Sequence, residues 1–257
     1  MEGYGAAAAE LGGAGRKTCG LLSVAVVKEA LRRHWPEYLM EAWGLGVFMV
    51  SACVFGALLE HPGSPARQAI ANGNIRRVLA GAAMGATFLA IVYSPWGKRS
   101  GAHLNPAVTL AFYRLGRVPA WDALFYSAAQ FAGGLLGVLL CAAALGDAIR
   151  DPAVQYAVTL PGSDGAGVAF AAEVVIAFVM MATVLVTSSS PRLSRLTPIL
   201  AATLVFLYIS IEAPYSGMSL NPPPARSRPP CPPATGRPSG STCSHPRSAC
   251  CSPPRPS

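Results

Sequence analysis

Long apolar runs alternate with short stretches that carry most of the charge. Runs of this kind occupy residues 38–59, 78–93, 124–145, 168–187 and 196–211. A hydrocarbon core of roughly 30 Å takes about 20 helical residues to cross, so each is a candidate transmembrane helix. The run 38–59 is interrupted by a single acid, Glu41, and 124–145 by none, whereas 78–93 and 196–211 are short. No apolar stretch followed by a cleavage signal precedes the first run, which is expected to act as the insertion signal itself.

Basic residues sort by loop. Arg16, Lys17, Lys28, Arg32 and Arg33 precede the first run, Lys98, Arg99, Arg114 and Arg117 follow the second, and Arg192 and Arg195 follow the fourth. The opposite loops hold Arg67, Arg76, Arg77 and Arg150, the last among Asp147, Asp151 and Asp164. Positive residues favour the cytoplasmic side, so the N-terminus is expected there.

Composition agrees with a multi-pass membrane protein: 52% hydrophobic residues, 12% charged and a mean hydropathy of +0.41. The net charge of +8 flanks the membrane runs or lies in the tail and forms no single helix face, which argues against nucleic-acid binding. Cys19, Cys53 and Cys141 have no disulfide or metal spacing, and no cofactor is implied. There is no nucleophile with a nearby base and no catalytic carboxylate pair, so the chain does not read as an enzyme.

The chain repeats itself. "SGAHLNP" from Ser100 returns as "SGMSLNP" from Ser216, each copy following two apolar runs, the first of which carries one acid, Glu41 or Glu173. An odd number of runs separates the copies, which places them on opposite sides of the bilayer as an inverted repeat. Asn105 is a suitable helix N-cap, Pro106 suits the first helical position, and Ala107 opens the apolar stretch "AVTLAFY", so a short helix is expected after Asn105. A helix too short to cross is tolerated at membrane depth only inside protein or beside a watery cavity. Its N-terminal dipole disfavours cations there.

These doubled Asn-Pro motifs and intramembrane glutamates resemble the major intrinsic proteins, the aquaporin and glycerol-facilitator family, over residues 37–222. The resemblance implies an all-α membrane fold, a right-handed helical bundle with re-entrant half-helices, passing water or small neutral solutes. It implies Asn105 and Asn221, followed by Pro106 and Pro222, as paired pore donors. The loops Gly101, Ala102, His103 and Gly217, Met218, Ser219 would line the path, and Glu41 and Glu173 would brace them by accepting backbone hydrogen bonds. Proton transport by these glutamates is the other reading, and His103 could either face the pore or hydrogen-bond its own loop. Counting the family's constriction onto this chain gives Met84, Ile209, Met218 and an arginine for which Arg226 is the candidate. Three of these are apolar, consistent with small uncharged solutes as well as water, but the aspartate after the arginine of glycerol facilitators is absent. The resemblance also implies a homotetramer surrounded by lipid, and "EAPYSGMSLNP" a bacterial inner-membrane member. Gly81, Gly85, Gly133, Gly134 and Gly137 are expected to permit close helix packing.

The second copy departs from this pattern. Asn221 and Pro222 are followed by Pro223 and Pro224, which push the preceding residues toward extended backbone, and Arg226 stands five positions after Asn221 where the family has three. Residues 222–257 contain no Leu, Ile, Val, Met, Phe, Tyr or Trp and no acid. A sixth span is therefore not expected there, and a frameshift at or just after Asn221 accounts for the composition. A proline-rich ligand, or a metal site at Cys231, Cys243, Cys250 and Cys251, is the alternative. The expected organisation is an N-terminal cytoplasmic segment (1–36), a membrane domain (37–221) and a Pro/Arg/Ser/Cys-rich tail (222–257). A non-conducting remnant is the rival to a channel.

Overall fold

The computed structural model describes residues 24–159 and 165–218. All regular structure among these residues is helical: α1 (Val24–Glu60), α2 (Pro65–Ala69), α3 (Gly73–Tyr93), α4 (Pro95–Ser100), α5 (Pro106–Arg114), α6 (Ala120–Leu145), α7 (Asp147–Arg150), α8 (Ala166–Ser189), α9 (Thr197–Leu207) and α10 (Ala213–Ser216), with a π-helical segment, Tyr208–Glu212, joining the last two. Among the described residues, five helices are long and apolar enough to cross a membrane.

Two of them run further than the apolar pattern. α1 begins at Val24, so the mixed basic and apolar residues 24–36 are helical and pass into the span without a break at 36/37. Pro36 sits inside this helix, which lacks one backbone donor there. The fifth span extends beyond Ile211 to Ser216. Pro214 cannot donate to the preceding turn, and the backbone widens to a π turn just before it.

Glycines set how the spans pack. A Cβ on Gly133 would lie 2.0 Å from the Ala42 carbonyl oxygen, and one on Gly137 2.5 Å from that of Gly46. The Cys141 thiol approaches the Val50 carbonyl at 3.8 Å. Steps of four on each helix meet in rising order, so α1 and α6 run parallel, backbone against backbone. Gly81 and Gly85 do the same for α3 against α9, a Cβ there lying 2.7 Å from the Phe206 oxygen and 3.1 Å from the Ala202 oxygen. In that pair, higher numbers on α3 meet lower numbers on α9, so the two are antiparallel. In hydrocarbon, such close approach provides the van der Waals attraction that burial from water supplies elsewhere.

The outer surface is apolar, with Leu135, Leu139, Phe170 and Phe178 all more than half exposed. Lipid, not water, suits this surface.

At one end, α1 and α6 are pinned by polar contacts. Asp122, buried in the first turn of α6, accepts from the Tyr38 hydroxyl at 2.6 Å and lies 3.1 Å from His34 Nδ1. On the opposite side, buried Arg76 grips the Glu60 carboxylate at 3.1 and 3.2 Å and donates to the carbonyls of Ile70 and Ala71 at 2.7 and 2.9 Å, folding the connection between α1 and α3.

Candidate pore site

The first repeated motif is built outward from the end of α3. Ser94 caps α4, its hydroxyl accepting from Gly97 N–H at 2.9 Å. Gly97 is obligatory, because a Cβ there would fall 2.1 Å from the Ile91 carbonyl oxygen. The chain leaves α4 through Gly101 in the left-handed region, φ 91°, followed by Ala102 and Leu104 at φ 46° and 51°. Strained residues of this kind persist only where their surroundings over-determine them.

Here Glu41 does so. It is fully buried; one carboxylate oxygen accepts from the Ser100 hydroxyl at 2.8 Å and His103 N–H at 3.0 Å, the other from Leu104 N–H at 2.8 Å and Gln130 Nε2 at 2.9 Å. Four donors surround one carboxylate, which is how a charge is held at membrane depth. Gln130 also donates to Thr109 Oγ1 at 3.2 Å, and Tyr126 donates to the Ser100 carbonyl at 2.9 Å. The sequence reading did not single out Ser100, Thr109, Tyr126 or Gln130. Ser100 alone carried a signal, as the first letter of the repeat.

Asn105 caps α5, its side-chain oxygen accepting from Ala107 N–H at 2.7 Å, with Pro106 in the first turn. This fixes the amide at the helix N-terminus. His103 Nδ1 lies 3.1 Å from Thr109 Oγ1, and its ring stacks on Phe112 with centroids 5.0 Å apart.

The second motif copies this turn at the end of the fifth span. Ser216 donates to Glu173 at 2.7 Å, as Ser100 does to Glu41. Gly217 has φ 85° and ψ −3°, matching 91° and −3° at Gly101. Met218 has φ 56°, and its N–H reaches the Ser216 hydroxyl at 3.1 Å, the distance between Ala102 N–H and Ser100. Because α3 and α9 are antiparallel, the two turns lie at opposite ends of the bundle. Glu212, four residues before Ser216, differs from its counterpart Trp96: both its carboxylate oxygens are buried, beside Ser216 and Glu173.

Of the constriction candidates, Met84 is buried on α3, Ile209 is half-buried in the π segment that packs on α3, and Met218 is half-buried in the second turn. Ser219, Asn221, Pro222 and Arg226, with the tail cysteines, lie outside the described residues. Among the described residues no group of three or more His, Cys, Asp or Glu side chains could hold a metal ion.

The family model of the major intrinsic proteins matches residues 19–231. The chain belongs to the major intrinsic protein family. It is 34% identical over 152 residues to Aquaporin A of Dictyostelium discoideum, a match covering 57% of this chain and 53% of that one. It is 36% identical over 131 residues to Aquaporin TIP2-1 of Zea mays, covering 50% and 49%. The chain spans about half the length of the curated relatives it matches. Its fold is similar to the aquaglyceroporin of Plasmodium falciparum, with a TM-score of 0.58 at 16% identity over 72% of this chain and 75% of that one. As a major intrinsic protein it is a multi-pass, all-α membrane protein with the aquaporin-like fold.

Proposed function

We propose that the chain forms a passive channel for water and small neutral solutes, without enzymatic chemistry. The observation that carries this reading is the repeated turn: two Ser-Gly loops at opposite ends of an antiparallel pair, each tied to an intramembrane glutamate. Glu41 and Glu173 are the braces, and Asn105 and Asn221 the paired amide donors. The backbone of Gly101, Ala102, His103, Gly217, Met218 and Ser219 lines the path. Met84, Ile209 and Met218 form the constriction, and Arg226 is out of register. The side-chain cap on α5 supports an N-terminal dipole at mid-depth that turns back cations.

On this reading residues 37–221 make the pore, the N-terminus is cytoplasmic in a bacterial inner membrane, and four copies associate. Glycerol-type solutes are compatible with three apolar constriction residues. The test is stopped-flow osmotic shrinkage of proteoliposomes containing the full chain, compared with Asn105→Asp. The wild type shrinks faster than empty vesicles and the variant does not; equal rates in all three defeat the proposal.

One observation favours a second reading, a non-conducting chain. α8 leaves Phe170, Val175 and Phe178 exposed, and the sequence after Asn221 supplies no apolar partner for it. A chain whose residues after Asn221 are replaced by Pro-Ala-Arg, a half-helix and an apolar span separates the two: acceleration by the replaced chain alone favours the second reading.

A further inference from the structure

The seam between α1 and α6 has a fixed register. Ala42 meets Gly133, Gly46 meets Gly137 and Val50 meets Cys141, a constant offset along the two helices. The first two steps set glycine against backbone. The third replaces glycine by cysteine, whose thiol donates to the Val50 carbonyl at 3.8 Å. Cys53 lies one turn beyond Val50 on the same side of α1, and its thiol is hydrogen-bonded to that of Cys141. Each thiol has a single proton. Since that of Cys141 goes to Val50, the bond between the two sulfurs is donated by Cys53.

Both side chains are sealed. Cys53 is fully buried and Cys141 is 4% exposed, in one cluster with Ala57, Ile149 and Val154. Cysteines that fill space as small apolar groups have no reason to meet. Here the two cysteines of the described residues, on helices far apart in the chain, meet thiol to thiol. Nothing in their spacing along the chain foretells this contact. A disulfide needs Cα atoms about 4.4–6.8 Å apart and side chains that point at each other. The glycine steps bring the two backbones together, and the hydrogen bond between the thiols fixes the direction of the side chains.

We propose that Cys53 and Cys141 form a redox-switched lock, two thiols when reduced and a disulfide between α1 and α6 when oxidised by hydrogen peroxide. One thiol takes an oxygen from the peroxide to become a sulfenic acid, releasing water; the other then displaces hydroxide from that sulfur, which leaves with the displaced proton as a second water. Two thiols and one hydrogen peroxide give one disulfide and two waters, the sulfurs losing two electrons and the peroxide oxygens gaining them. Thiols in apolar surroundings keep their protons, so the first step is slow. The second is fast, because the partner is already in contact. Hydrogen peroxide is small and uncharged, as a reagent that enters a sealed seam must be. The pair lies toward the Glu60 end of α1, which faces away from the cytoplasm on the orientation proposed above, the side where disulfides persist.

In the test, the full chain in detergent is reduced, exposed to hydrogen peroxide, alkylated, digested with trypsin without further reduction and mapped by mass spectrometry. Cleavage after Arg33, Arg67, Arg117 and Arg150 releases the two cysteines on separate peptides, so the bridge appears as one linked species lighter than their sum by two hydrogens. Its formation raises the midpoint of thermal unfolding by roughly 5–10 °C. Cys53→Ser and Cys141→Ser, treated alike, show neither the linked species nor the rise, which sets aside any bridge among Cys19 and the tail cysteines. In either variant the remaining thiol has lost its partner, and dimedone traps it as a sulfenic acid that does not accumulate in the wild type. Thiols that stay alkylatable after peroxide and unfolding, or that go separately to sulfinic acid, overturn the proposal. So does linkage of either cysteine to another part of the chain, or a bridge that leaves the midpoint unchanged. None of these readings depends on which way the chain lies in the membrane or on whether it conducts.

Discussion

Replacing Glu41 by glutamine changes one atom in a carboxylate that holds four donors, and the structure gives the size of the effect. If the new amide nitrogen replaces the oxygen facing Leu104, Gln130 can turn its own carbonyl oxygen, which has no partner now, toward that nitrogen. The Leu104 N–H cannot turn, and is left buried without an acceptor. If the nitrogen replaces the other oxygen, the Ser100 hydroxyl can rotate, but the His103 N–H cannot. Either way one backbone donor is orphaned, costing roughly 1–3 kcal/mol, and the surviving bonds lose their charge assistance.

A total of about 3 kcal/mol follows, or about a hundredfold in a local opening equilibrium. Amide hydrogen exchange in detergent or nanodiscs measures it directly: exchange at His103 and Leu104 accelerates about a hundredfold in Glu41→Gln, while amides in the middle of α6 do not change. Gln130→Ala is the control, because it removes a side-chain donor and leaves both backbone bonds in place; its effect at these two amides is within a few-fold. If Glu41→Gln leaves both amides protected as in the wild type, the carboxylate is not what holds the turn.

Other consequences follow from the same geometry. Gly133→Ala places a methyl group 2.0 Å from a carbonyl oxygen and forces α1 and α6 apart; thermal unfolding in detergent shows a loss of about 1–3 kcal/mol or more, where the neighbouring Gly134→Ala, whose Cβ would meet only side-chain atoms at 3.5 Å, is nearly neutral. Arg76→Ala removes a buried clasp from Glu60, which remains 35% exposed, and about 2–3 kcal/mol with it; limited proteolysis then cuts between residues 61 and 72 faster than in the wild type. Glu212→Gln has the opposite sign to Glu41→Gln: a buried carboxylate beside a second one, Glu173, is exchanged for an amide that is less costly to desolvate, so the melting temperature is unchanged or higher.

The sequence was most readable where chemistry is local. An Asn-Pro step supplies both a cap and a first-turn proline, and α5 starts at Pro106 as these residues require. Apolar runs located the five spans but misjudged their ends. Residues 24–36 mix Val, Leu and Trp with Lys and Arg, which breaks an apolar count without breaking a helix. Glu212 and Pro214 likewise end the apolar pattern, while the backbone absorbs the proline by widening into a π turn. The least readable features join distant segments. Gln130 and Thr109 reach the Glu41 network from 89 and 68 positions away, and neither differs locally from any polar residue in an apolar helix. Arg76 read as a loop charge because its partner Glu60 and the two carbonyls meet it only after the connection folds.

Comparing the repeats separates what the turn needs from what surrounds it. In the first, α1 carries Glu41 and presses Ala42 and Gly46 against α6, which returns Gln130 and Tyr126 to the loop. Counting from Glu173, the matching positions on α8 are Val174 and Phe178, and these are 51% and 71% exposed. The Ser-Gly turn nevertheless has the same dihedrals within a few degrees at the glycine, and the same serine-to-glutamate bond within 0.1 Å. Packing of the kind α6 provides is therefore not what shapes the turn. The two copies share a serine hydroxyl that both donates to a glutamate and accepts from the residue after a left-handed glycine, and all of these groups are written in the repeated heptapeptide and one acid on the opening span of its half. In the first copy α6 adds Gln130, which donates to Glu41, and Tyr126, which donates to the Ser100 carbonyl and ties the loop to the bundle.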